Sequence, residues 1–146
     1  MKPTLVAGVT ATASFLVTEA NTVPALAIDK LGFTDIPHVL ATAYMIAMME
    51  GTSTRLLRPH HDDNEGSLGV HIDVSHLAAT VIGQTVTVTS TVTQVDDRKV
   101  AFHVVAHDGI DLIGEGKHVR AIVRWDRFKA AVAAKAGKAI AERSGA

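Results

Sequence analysis

The chain has 146 residues, 47% of them hydrophobic, which is the size of one domain with a single core. Its formal charge of −1, with both signs intermixed, provides no basic field for nucleic acid or an acidic membrane, so neither is expected as a partner. The lack of cysteine excludes a disulfide framework, a thiolate metal site and a cysteine nucleophile, and fits a reducing cytoplasm.

The opening stretch "MKPTLVAGVTATASFLVTEANTVPALA" has an early lysine and an Ala-x-Ala ending, a loose imitation of a secretory signal, but threonines and serine break its apolar region. Val9, Ala11, Ala13, Phe15 and Val17 instead alternate with Thr10, Thr12, Ser14 and Leu16, the pattern of a half-buried strand. No apolar run approaches the length needed to cross a bilayer. Residues 1–29 therefore read as a first strand and linker. "NTVPALAIDKLGFTDIPH" carries two prolines and a glycine, so it connects rather than packs, and its 30–36 portion reads as a lid able to fold over a site.

A long helix is expected next, with Pro37 in its first turn and Thr34 or Asp35 as a nearby cap. The run beyond is apolar almost all round, which predicts a helix wrapped by other structure. After the polar loop "RPHHDDNEGS" the period changes to two. In "GVHIDVSH", Val70, Ile72, Val74 and His76 share one face, and Gly69, His71, Asp73 and Ser75 the other. "TVTVTSTVTQV" sets Val86, Val88 and Val92 inward against an outer row of threonines. "DDRK" and the Asp108–Gly109 pair turn the chain into two more antiparallel strands. The Ala- and Lys-rich tail, 126–146, reads as a helix with a frayed end. This order predicts a single α+β domain over 1–146: a five-stranded antiparallel sheet curled around one central helix, plus a C-terminal helix. Long sheet edges predict pairing with a second copy, hence a homodimer or a higher homo-oligomer.

Glu50 interrupts the apolar helix, with Ile46, Ala47, Ser53 and Thr54 as its helical neighbours. A carboxylate there either marks a point where the helix turns outward or serves chemistry in an apolar cavity. His76 ends the inward row of a strand and points toward that helix; alone it is better read as a buried imidazole bonded to backbone. Together the two match a general-base or nucleophilic attack on an acyl carbon. Thr42 lies two turns before Glu50 and about 80° off its face, close enough to line the same pocket. "HHDD" at 60–63 could ligate a metal, but neighbouring residues in a polar loop point apart, so a solvated loop is expected and no metal. In "GEGKHVR", Gly114, Gly116, His118 and Arg120 alternate, so one strand face is stripped of side chains and then given two basic ones, letting a helix or ligand lie close.

The runs "FTDIPHVLATAYMIAMMEGTSTRLL", "EGSLGVHIDVSHLAAT" and "TVTVTSTVTQVDDRKVAFHVVAHDGIDLIGEGKHVRAIV", spanning roughly residues 30 to 128, resemble the fluoroacetyl-CoA thioesterase-like family of hotdog-fold acyl-CoA thioesterases. The resemblance implies Thr42, Glu50 and His76 as the catalytic set, with Gly69 and Arg120 lining the site. It implies hydrolysis of a short acyl-CoA thioester in a cleft at a dimer interface, with no cofactor beyond the CoA that belongs to the substrate. The family's lid carries two phenylalanines; Phe33 fits one position and Ile36 stands at the other, a loss of aromatic area that bears on which acyl group is accepted. The competing reading is a non-catalytic acyl-CoA-binding module, which would keep the cavity without needing an acid and an imidazole. A hotdog hydratase ranks behind both, since its Asp-rich strand and loop motif is missing.

Overall fold

The computed structural model describes residues 1–26 and 32–145. Five strands, β1 (Thr10–Leu16), β2 (Glu65–His76), β3 (Thr85–Asp96), β4 (Lys99–His107) and β5 (Leu112–Arg124), form one antiparallel sheet in the order β1-β3-β4-β5-β2. The helix α1 (Thr42–Leu57) lies across it, and α2 (Trp125–Ser144) follows β5. The architecture is the expected one, and it follows from the two periods in the sequence. Val86, Val88 and Val92 of β3 and Val100, Phe102 and Val104 of β4 are fully buried on the helix side. Met45, Met49 and Leu56, at spacings of four and seven, meet them from α1. The threonines of β1 and β3 face outward, pairing hydroxyl to hydroxyl across the strands at Thr10–Thr91, Thr12–Thr89 and Ser14–Thr87. At the β4–β5 turn Gly109 takes φ 93°, a conformation that suits glycine, and the Asp108 carboxylate accepts the N–H groups of Ile110 and Asp111.

Two expectations need correction. The helix starts at Thr42, not at Pro37, and Ala41 rather than Thr34 or Asp35 precedes its first turn. Val39 and Leu40 are held extended by backbone bridges to Val81 and Thr22, and Ala41 donates to the Asn21 carbonyl, so tertiary pairing takes the residues a helix would have used. Phe33–Asp35 forms only a 3₁₀ turn; residues 30 and 31 of the lid lie outside the described residues. The helix is also not wrapped on every side. Met45, Met49, Ser53 and Leu57 are buried, but Thr42, Ala43 and Ala47 remain exposed along one flank, because a five-stranded sheet covers only the side it curls around.

The free edges are β1 and β2. β2 is the long one at 12 residues, and between polar side chains it exposes Val70 (55%) and Ile72 (36%), an open edge of the kind that pairs with another strand. At its start Trp125 lies over Gly66, where an added Cβ would come within 2.0 Å of the indole. Trp125 is half-buried there, and no residue of α2 is buried. Among the described residues no helix is long and apolar enough to cross a membrane.

Glu65 ties the start of β2 to the rest of the chain. Its carboxylate is 2.7 Å from the Met1 ammonium and 3.0 Å from Arg98 Nη2, and it accepts the Asp62 N–H at 3.1 Å. Burial alone would raise its pKa, but these donors outweigh it and bring it down to about 2. A carboxyl whose folded pKa is depressed adds stability above its unfolded value, and that contribution is lost as pH falls toward the folded value. Glu65→Gln is therefore expected to cost about 1–3 kcal/mol at neutral pH, with the gap from the parent closing between about pH 4.5 and 2. Urea unfolding at a series of pH values reads this directly; a gap that stays constant with pH contradicts it.

Candidate active site

Glu50 projects from the middle of α1 toward β2 and β5. Its Oε1 lies 3.4 Å from Arg120 Nη1 and 3.8 Å from His118 Nε2. What lets it approach the sheet is Gly69: a Cβ there would sit 2.0 Å from that carboxylate oxygen. The side chain is 41% exposed, onto a cleft of about 240 Å³ lined by Ile46, Gly69, Val70, His71, Ile72 and His118.

Gly69 thus shares the inner face with the site, where simple alternation had put it opposite to His76. The reason is a β-bulge. The pairing of β2 with β5 shifts between Gly69 and His71, and Val70 is the extra residue. Beyond it Ile72 pairs with His118, Val74 with Gly116 and His76 with Gly114; before it Gly69 pairs with Arg120. Opposite residues share a face, so the bulge brings Gly69, Ile72, Val74 and His76 to the same side.

Arg120 is almost completely buried, and its guanidinium is held at three corners: Nε donates to Ser67 Oγ and Nη2 to Ser67 O, both at 2.9 Å, while Nη1 faces Glu50. Burial lowers its pKa and the Glu50 charge opposes that. Gly114 of the same face does what the alternation suggested, since a Cβ there would meet the Met45 sulfur at 2.6 Å, so α1 lies close over it; at Gly116 a Cβ would instead meet the β2 backbone, Asp73 O at 2.1 Å.

Thr42 and His76 meet each other but not Glu50. Thr42 Oγ1 is 2.8 Å from His76 Nδ1, and His76 Nε2 is buried with no hydrogen-bond partner among the described residues. They line a second cleft, of about 320 Å³, with Val23, Val39 and Leu77. Within one chain the acid and the imidazole are at opposite ends of β2's inner face: eight helical residues, about 12 Å of rise, separate Thr42 from Glu50, and His76 goes with Thr42 while Gly69 goes with Glu50. Phe33 is half-buried and Ile36 is 37% exposed; neither is among the described residues lining the two clefts. Of the "HHDD" side chains, His60 meets Thr4 and Asp62 the Met1 ammonium, while His61 Nε2 is buried with no hydrogen-bond partner among the described residues; no cluster of metal-ligating residues occurs among those residues. His118 is the residue the sequence reading left out of the site. The alternation Gly114, Gly116, His118, Arg120 was the signal for it.

Residues 17–126 match the family model for the fluoroacetyl-CoA-specific thioesterase. The chain is 40% identical over 135 residues to the fluoroacetyl-CoA thioesterase of Streptantibioticus cattleyicolor, covering 92% of this chain and 97% of that protein. A solved structure of a fluoroacetyl-CoA thioesterase superposes with a TM-score of 0.86 at 40% identity, over 90% of this chain and 97% of that one. A thioesterase superfamily member from Thermus thermophilus superposes at 0.87 with 25% identity, over 97% and 99%.

Proposed function

This chain belongs to the fluoroacetyl-CoA-specific thioesterase family, and on that premise we propose that it hydrolyses short acyl-CoA thioesters at a site assembled between two copies of itself. The observation that carries the reading is the carboxylate of Glu50 set over the side-chain-free Gly69 in a mostly apolar cleft at an open sheet edge. In the reaction the C–S bond breaks, the oxygen of water ends on the acyl carbon, and its protons are shared between the carboxylic acid and the CoA thiol. Glu50 delivers that oxygen, either by activating water or by attacking the carbonyl and being released by water. Coenzyme A enters as part of the substrate, and no other cofactor has a step.

The second copy explains the separation of acid and imidazole. β2 is an open edge with Val70 and Ile72 exposed, and antiparallel pairing of two β2 strands centred near Ile72 and Asp73 would bring each Gly69 within about two residues of His76 of the partner subunit. Each cleft would then hold Glu50, Gly69 and Arg120 from one subunit and the Thr42–His76 pair from the other. The Nε2 of His76, without a hydrogen-bond partner among the described residues, suits this, able to take or donate a proton at the reacting carbonyl or the leaving sulfur. The exposed flank of α1 would be covered in the same assembly. Phe33 and Ile36, in the turn before the second cleft, are the lid residues of this reading, and a reducing cytoplasm is its setting.

The test is release of free thiol from a panel of short acyl-CoAs, fluorinated and not, by the purified protein. Turnover supports the proposal. Saturable binding of every acyl-CoA with turnover of none would establish a binding module instead.

A further inference from the structure

We propose that His118 is a positioning residue for the reaction: held as the neutral Nδ1–H tautomer, it presents the lone pair of Nε2 to Arg120 Nη1 and thereby aims that guanidinium edge at Glu50. The inference rests on the reading of Glu50 given above and adds the group that sets its partner's orientation.

The tautomer follows from what each ring nitrogen meets. Nδ1 lies 2.9 Å from the backbone carbonyl of His71, which can only accept, so Nδ1 carries the hydrogen. Nε2 lies 3.3 Å from Arg120 Nη1, which can only donate, so Nε2 must be the acceptor. Both conditions are met by one neutral form and by neither alternative. The imidazolium would point an N–H at the guanidinium, and the other tautomer would fail at both ends. The ring is 1% exposed and stacks on Phe102 of β4 at 6.1 Å, which packs it in this orientation. Burial first, and then the Arg120 charge, lower its pKa, against the opposing pull of the His71 carbonyl and Glu50.

The direct route is closed by distance. At 3.8 Å, Nε2 is out of hydrogen-bond range of Glu50, so His118 reaches the carboxylate through Arg120. The two hydrogens of Nη1 divide accordingly, one to Nε2 and one to Glu50 at 3.4 Å, while Ser67 takes Nε and Nη2. Without the imidazole acceptor, Nη1 would have a buried N–H to satisfy and the guanidinium would be free to turn about its Ser67 bonds.

Two substitutions separate the nitrogens. His118→Gln keeps an acceptor oxygen near the place of Nε2, and His118→Asn keeps a donor near the place of Nδ1. The expected result is that His118→Asn lowers kcat for CoA release about tenfold to 10²-fold with little change in KM, as a misaligned catalytic group does, while His118→Gln recovers most of the loss. Melting temperatures of the two variants show whether activity merely tracks stability. Equal loss in both variants, a loss confined to KM, or activity that follows melting temperature would overturn the proposal. Imidazole ¹⁵N NMR of the unmodified protein at neutral pH is the second measurement and needs no turnover: Nδ1 protonated with Nε2 bare is expected, and any other state overturns it. If no acyl-CoA is turned over while the NMR result holds, the enzymatic reading has failed and the tautomer assignment has not.

Discussion

Glu50→Gln is expected to lower kcat for CoA release by about 10²–10⁴-fold, the range over which a positioned acid or base contributes. The substitution is close to isosteric, so the side chain still fits over Gly69, where only 2.0 Å separates the carboxylate oxygen from the position of a Cβ. What changes is charge and basicity. An amide can neither take a proton from water nor form an acyl anhydride, and it pairs more weakly with the buried Arg120 at 3.4 Å. Because nothing in the binding cleft is removed, KM is expected to move far less than kcat, the signature of an interaction made in the transition state. The fold should persist, since Glu50 is 41% exposed and one face of the site is open. Circular dichroism and thermal melting check this alongside the rate. A variant that turns over as fast as the parent would remove Glu50 from the chemistry and with it the proposed reaction path.

Much of the fold was legible because it is written in two periods. The valines of β3 and the alternation along β1 fix which face meets the helix, and both "DDRK" and the Asp108–Gly109 pair turn the chain where the structure turns. The start of α1 was not legible. Pro37 is a good first-turn residue by local rules, but the bridges Thr22–Leu40 and Val39–Val81 join residues far apart in sequence and outweigh those rules. The bulge at Val70 was also hidden, since a run of alternating residues carries no mark of the one that drops out of register, and the error it caused placed Gly69 on the wrong face.

The site shows the same division. The Thr42–His76 contact and the approach of α1 to Gly114 of β5 follow from face assignments that survive the bulge. The immediate partners of Glu50 do not follow from them. Sequence reasoning brought acid and imidazole together because both point inward, yet direction is only one of the coordinates needed; position along the strand separates them in one chain, and Arg120 with His118 takes the place expected for His76.

The assembly is therefore the point on which the account turns, and mixing two inactive variants tests it most directly. One variant, Glu50→Gln, lacks the carboxylate; the other, His76→Ala, lacks the imidazole. In a heterodimer of the two, one composite site carries both lesions and the other carries neither. Random exchange makes half the dimers mixed, so about a quarter of the parent's sites should be whole and about a quarter of its activity should return. The measurement is CoA release after the two proteins are unfolded together and refolded, with heterodimer formation confirmed by differently tagged copies. Recovery on mixing, absent when either variant is refolded alone, is the predicted result. Heterodimers that form and stay inactive would contradict the account, for Glu50 and His76 would then have no shared site in which to work.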